Sequence, residues 1–165
     1  MDLSFRGEFI QKVDAKGRMS IPAAYRHVLQ DGDPAYPANA ARMVILYGPH
    51  LKNCLHAYTI DAMAEIERDI KALPRGSDQR KWASRLILGK SMEAEVDRDG
   101  RIILPKERRE QIGLEGEALM IAMGDYFEIW NKATYEAEDE AEMLDYLEKQ
   151  DKNFDPLTLL DGAGG

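Results

Sequence analysis

Residues Val13–Pro22 read V-D-A-K-G-R-M-S-I-P, and residues Val96–Pro105 read V-D-R-D-G-R-I-I-L-P. Extended to Arg26 and Arg109, the two stretches agree at six of fourteen positions: Val, Asp, Gly, Arg, Pro and the final Arg. A match this ordered marks two copies of one supersecondary unit. In each copy a short alternating run precedes the Asp, a second follows the Arg, and a Gly lies between, the pattern of a β-hairpin. Asp suits the first position of a type I turn, and Gly the left-handed position of the bulge after it. A three-residue loop of that kind sets Asp14 opposite Arg18 across Gly17, and Asp97 opposite Arg101 across Gly100.

Outward from the corners, Pro22 and Pro105 suit the first position of a helix, where a missing N–H costs nothing. Two-turn helices follow in A-A-Y-R-H-V-L and K-E-R-R-E-Q-I. Apolar runs at Met43–Tyr47, Cys54–Tyr58, Leu119–Met123 and Tyr126–Trp130 read as buried strands, the last two joined at Gly124-Asp125. Ile60, Met63, Ile66, Ile70 and Leu73 lie at helical spacing and end at Pro74; Trp82 and Leu86 mark a further helix to Gly89. The acidic stretch from about 132 to 149 predicts one more helix. D-G-D-P-A-Y-P-A-N-A-A reads as a surface loop, and D-P-L-T-L-L-D-G-A-G-G as a frayed tail. The fold class is therefore α+β and β-rich: a domain at 8–59, a helical linker at 60–90, a second domain at 91–134, and an acidic helix with a disordered tail at 135–165.

With 165 residues, 44% of them hydrophobic and 32% charged, the chain is an ordinary soluble protein by composition. No apolar run approaches membrane-helix length, the start lacks a leader pattern, and the single cysteine, Cys54, cannot form an internal disulfide. These features predict a cytoplasmic protein. The net charge of −8 is unevenly spread. Residues 1–91 hold 14 Lys+Arg against 10 Asp+Glu, whereas residues 92–165 hold 8 against 20. Patches, not totals, steer charged partners, so a basic first half keeps nucleic acid in play.

Each corner has two readings. An Asp–Arg pair across a strand turn pins the turn for about 0.2–1 kcal/mol. Alternatively the carboxylate orients a guanidinium whose remaining N–H groups reach phosphates or a guanine edge. Lys16 adds a cation at the first tip, whereas Asp99 at the matching second position repels phosphate, so the first corner is the stronger candidate.

A family resemblance enters on these residues. F-R-G at Phe5–Gly7, D-A-K-G-R-M-S-I-P at Asp14–Pro22, R-L-I-L-G at Arg85–Gly89, D-R-D-G-R-I-I-L-P at Asp97–Pro105 and M-G-D-Y-F-E-I-W at Met123–Trp130 occur in the order found in the MraZ family, over residues 5–134. The chain resembles that family of bacterial transcriptional regulators, built from two SpoVT–AbrB-like halves. The resemblance implies tandem swapped-hairpin β-barrel halves at 8–59 and 91–134 and a homo-oligomeric ring. It also implies binding of double-stranded DNA at repeated promoter boxes of the division and cell-wall gene cluster, hence association with the nucleoid. Carried over by residue, the motif maps to Asp14 with Arg18 and to Asp97 with Arg101; together with the cation at the first tip, Arg18 and Lys16, then Arg101, are the expected DNA contacts, with Asp14 and Asp97 orienting them and Gly17 and Gly100 shaping the turns. Two features depart from the family: a longer loop at 31–42, and the lack of a cation matching Lys16 in the second copy.

No enzyme motif is present, and no cofactor, small-molecule substrate, metal or membrane partner is assigned. His50, Cys54 and His56 lack a fourth ligand and the spacing of zinc sites, and read as a thiol near two imidazoles; an enzyme with a metal there is the remoter rival. Arg75, Arg80, Lys81 and Arg85 are a charged helix face that could supplement DNA contact. The nearer alternative to a regulator is an AbrB-like antitoxin or protein-interaction module.

Overall fold

The computed structural model describes residues 3–162. The chain divides into two units, at Met1–Lys132 and Ala133–Gly165. In the first, Glu8–Lys12 (β1), Arg18–Ser20 (β2), Ala23–Asp31 (α1), Arg42–Leu46 (β3), Cys54–Tyr58 (β4), Ile60–Lys71 (α2), Asp78–Leu86 (α3), Ser91–Glu95 (β5), Arg101–Ile103 (β6), Lys106–Gln111 (α4), Glu117–Ala122 (β7) and Tyr126–Asn131 (β8) follow one another. The class is α+β, and every strand pairing is antiparallel.

The arms of each repeat do not pair along their length. β1 leaves the first corner to pair with β7, in the register Lys12↔Glu117 to Glu8↔Ile121. β5 pairs with β3, and β2 pairs with β6. The larger sheet runs β1-β7-β8-β4-β3-β5, and β2 and β6 make a separate ribbon. Both orders read the same when the first copy's strands are exchanged for the second's, so a pseudo-twofold passes between β4 and β8 and between β2 and β6. The expected hairpin is thus confined to its turn. Three-residue β2 and β6 gain more by burying Met19 and Ile102 against each other's repeat than by extending a local ladder. The large sheet is open, with β1 and β5 at its edges, rather than closed as a barrel.

Alternation fixes what each face carries. Met43 and Ile45 of β3, Leu55 and Ala57 of β4, Met120 of β7 and Phe127 and Ile129 of β8 are fully buried in the main core, with Met19, Ile21, Tyr25, Leu29, Ile102 and Leu104. Burying one such side chain stabilises by about 1.5–3 kcal/mol. The F-R-G motif belongs here: Phe5 meets Tyr25 and Phe127 edge-on at 5.4 and 5.1 Å, and the Tyr25 hydroxyl donates to the Gly7 carbonyl at 2.6 Å. On the opposite face, Val44 and Leu46 pack against Met63 of α2.

The helices start where the sequence places stops and caps. Thr59 accepts from the Ala62 N–H, and Ser77 from the Arg80 N–H, at the N-termini of α2 and α3. Pro22 and Pro105 lie one residue outside their helices, as caps with extended ψ, rather than at the first helical position. The 31–42 loop is pinned from within. Buried Asp33 accepts from the Ala35 and Arg42 backbone N–H groups and from Nε and Nη2 of Arg42, which also reaches Glu93.

The acidic helix is two. Lys132–Ala137 (α5) and Asp139–Glu148 (α6) are separated where Glu138 leaves helical geometry at φ −114°. The second unit also holds a 3-10 turn at Pro156–Gly162, where the sequence reads as frayed; residues 163–165 of that tail lie outside the described residues. No described helix is long and apolar enough to cross a membrane.

Candidate nucleic-acid interface

The first corner is a closed turn. The Gly17 N–H donates to the Asp14 carbonyl at 3.0 Å and the Asp14 N–H to the Arg18 carbonyl at 3.1 Å, with Gly17 at φ +87°. Asp14 Oδ1 accepts from the backbone N–H groups of Lys16 and Arg18, and Arg18 Nε donates to Oδ2 at 2.6 Å. The backbone N–H of Arg18 and then its side chain hold the Asp14 carboxyl below its ordinary pKa. Both side chains stay about two-fifths exposed, at 38% for Arg18 and 41% for Asp14. Nε is occupied, and the outer end of the guanidinium is presented to solvent.

The second corner repeats the backbone and changes the charge. Asp97 Oδ1 accepts from the Asp99 and Arg101 N–H groups, but Arg101 Nε stands 3.5 Å from Asp97 Oδ2. The guanidinium leans instead to Asp99, donating from Nη2 at 3.1 Å, and its buried Nε lacks a hydrogen-bond partner among the described residues. Two carboxylates thus share one arginine. The segment 97–101 is formally neutral, whereas 14–18 carries one net positive charge. Arg98, exposed at the second tip in the place of Ala15, is a cation that a position-by-position match to Lys16 passes over.

The ribbon brings the corners to one surface. Met19 and Ile102, directly opposite, point inward, so Arg18↔Ile103 and Ser20↔Arg101 share the outward face. Diagonal neighbours in such a ladder lie roughly 7–8 Å apart. Arg18 and Arg101 therefore form one paired feature, with Lys16 exposed beside it.

The repeat's final arginine explains itself here, although the sequence gives it no role. Arg26 donates from Nη1 to the Ile21 carbonyl at 2.6 Å and lies over Gly100; Arg109 donates from Nε to the Leu104 carbonyl at 3.0 Å and lies over Gly17. Each arginine covers the other copy's turn. The Ile21 N–H donates to the Gly100 carbonyl and the Leu104 N–H to the Gly17 carbonyl, both at 2.8 Å, completing a reciprocal clasp. Identity of Arg26 and Arg109 across the copies is the signal that could have found them.

Other candidates are placed differently. Lys81 and Arg85 flank the Trp82 ring, at 4.7 and 5.6 Å from its centroid, and Arg80 donates to the Leu73 carbonyl. His27 is exposed on α1. Of the three sulfur and imidazole groups, Cys54 and His56 converge, and they do so with Glu128 rather than His50.

Comparison with known proteins agrees over the whole chain. Residues 87–155 match the family model described as "MraZ protein, putative antitoxin-like". The chain is 48% identical to the "Transcriptional regulator MraZ" of Ruegeria pomeroyi over 98% of its length and 97% of that protein's. It is 46% identical to the protein of the same name from Ruegeria sp. strain TM1040, over 100% and 99% of the two chains. With the protein of that name in Hydrogenovibrio crunogenus the chain shares 37% identity, over 87% and 89% of the two chains.

Proposed function

We propose, since this chain belongs to the MraZ family, that it is a DNA-binding regulator of transcription, reading its promoter through the arginines of the β2–β6 ribbon. The observation that carries this is the shared outward face of Arg18 and Arg101, with Arg18 tied at Nε to Asp14 and no protein partner on its Nη groups among the described residues, and Arg101 drawn at its far end to Asp99. Nη groups held this way can pair with phosphate or a guanine edge without first losing the freedom of a loose side chain. Arg18 and Lys16 are the principal contacts and Arg101 a lesser one, because Asp99 already draws on its guanidinium. Asp14, Gly17, Asp97 and Gly100 shape the turns.

One subunit offers few cations, and affinity for a duplex comes largely from neutralising phosphates. A homo-oligomeric ring would set many such ribbons against repeated boxes, where linked binding raises affinity by roughly 10²–10⁴. The same reading takes 8–59 and 91–134 as the two halves, joined by 60–90, and regards each as a swapped-hairpin unit; exchange of β1 and β5 between copies supports it. The target is the promoter of the division and cell-wall gene cluster, and the place of action the nucleoid.

The test is a salt-dependent titration of the full chain against DNA from upstream of its own gene, with shuffled DNA as control. Specific binding should exceed shuffled binding, and Arg18→Ala should flatten the log–log salt slope by about 0.9 for every phosphate it no longer neutralises. Equal affinity for both DNAs would end the proposal, as would an unchanged slope and affinity in Arg18→Ala.

A further inference from the structure

On the face of the large sheet away from the main core, β3 presents Val44 and Leu46 to α2. On the next two strands inward, β4 and β8, the pattern changes from apolar to donor-bearing. Cys54 and His56, two residues apart on β4, share this face, and Glu128 of β8 stands directly opposite His56. The thiol is buried, while the imidazole and the carboxylate are each 17% exposed, so solvent reaches one side of the group. His56 Nε2 and Glu128 Oε2 are 3.5 Å apart, and the sulfur, nitrogen and oxygen atoms all lie within 4.8 Å of one another.

We propose that Cys54, His56 and Glu128 form a binding site for a divalent transition metal of the zinc class, spanning β4 and β8 across the pseudo-twofold. Bonds of about 2.3 Å to sulfur and 2.0–2.2 Å to nitrogen and oxygen imply ligand separations of roughly 3.3–3.6 Å around a tetrahedral ion. The His–Glu edge has that length already. The cysteine edges, no longer than 4.8 Å, need a contraction of at most about 1.5 Å, within reach of a side-chain rotation. A thiolate with an imidazole and a carboxylate selects Zn(II) or Co(II) over Mg(II) or Ca(II), which take oxygen. Three protein ligands leave the fourth position to water.

Two outer contacts hold the ligands as a metal site requires. The Trp130 indole N–H donates to Glu128 Oε1 at 3.2 Å, leaving Oε2 to the site. Tyr126 stacks on the His56 ring with centroids 4.5 Å apart, fixing its plane. A bare His–Glu pair on a sheet surface has no need of a thiol beside it or an indole behind it. Bound metal would fasten the first repeat to the second at the middle of the sheet.

The experiment uses the full chain without an affinity tag, reduced and stripped of metal, titrated with Co(II). One equivalent per chain should raise a thiolate-to-cobalt band in the near ultraviolet and intense visible absorption of tetrahedral cobalt, both lost on adding Zn(II). Cys54→Ser should abolish the near-ultraviolet band, and His56→Gln and Trp130→Phe should each weaken binding by at least about tenfold, with circular dichroism unchanged. Absence of the thiolate band in the unaltered protein overturns the proposal. So does equal cobalt affinity in His56→Gln, which is partly exposed and tests the site even where Cys54→Ser fails to fold.

Discussion

Replacing Gly17 by Ala tests the clasp at its tightest point. Gly17 is buried at φ +87°, and an added methyl group would come closer than 3.0 Å to the Leu104 carbonyl oxygen and to Arg109 Nε. A left-handed conformation costs a non-glycine residue about 1–2 kcal/mol. Forcing a side chain into packed backbone adds about 1–3 kcal/mol, because Leu104, one residue past β6, is held by its N–H bond to the Gly17 carbonyl and its carbonyl cannot swing away. The expected loss is therefore about 2–5 kcal/mol. Gly100→Ala is the internal control. At φ +76° it bears the same conformational cost, but its new methyl group would meet Nη1 of Arg26 at 2.8 Å, the movable end of a side chain. Its loss should stay near 1–2 kcal/mol. Urea unfolding of both variants at one protein concentration, followed by circular dichroism, measures the difference. Equal losses would refute the inference that backbone contact, rather than turn conformation alone, makes Gly17 obligatory.

Asp99→Asn should free the Arg101 guanidinium and strengthen DNA binding, steepening its salt dependence; unchanged binding would mean that the second corner stands away from the duplex. Asp33→Ala leaves two backbone N–H groups of the 31–42 loop without their acceptor and should cost about 1–3 kcal/mol in urea unfolding. The Arg42 side chain, foremost, holds the Asp33 carboxyl below its ordinary value of 3.8, so this stabilisation is present in full above that pH. It disappears as the pH falls through the lower folded-state pKa, and the gap between wild type and Asp33→Ala should narrow below about pH 3.8. Tyr25→Phe removes the hydrogen bond to Gly7 from within the core and should cost about 1 kcal/mol, read as a shift in the urea midpoint without a change in slope.

What could be read in the chain was what is local. The Asp-x-x-Gly-Arg turn follows from residue preferences within five positions, and it forms with both its backbone bonds and its carboxylate bridge. Strands β3, β4, β7 and β8 announce themselves as short apolar runs, and α2 and α3 by period and by the stops at Pro74 and Gly89. Pairing is another matter. A repeated sequence matches its own copy and the other equally well, so nothing in Glu8–Lys12 says that its partner is Glu117–Ala122. Glu128 looks like any strand glutamate until β4 and β8 become neighbours. Asp33, in a loop that reads as polar surface, is buried because Arg42 returns to it. Arg101 was visible as a repeat of Arg18, but its lean toward Asp99 depends on rotamer geometry that a motif does not encode.

The exchange of first strands sets a timetable for biosynthesis. β1 leaves the ribosome about a hundred residues before β7, which at roughly 5–20 residues per second is a delay on the order of 5–20 s. During that interval β1 is a loose ribbon looking for an edge. Glu8 and Lys12, the charges on either side of the exposed Ile10, make it a poor template for a neighbouring nascent chain, a safeguard suited to a protein whose sheet cannot be completed until translation is nearly over.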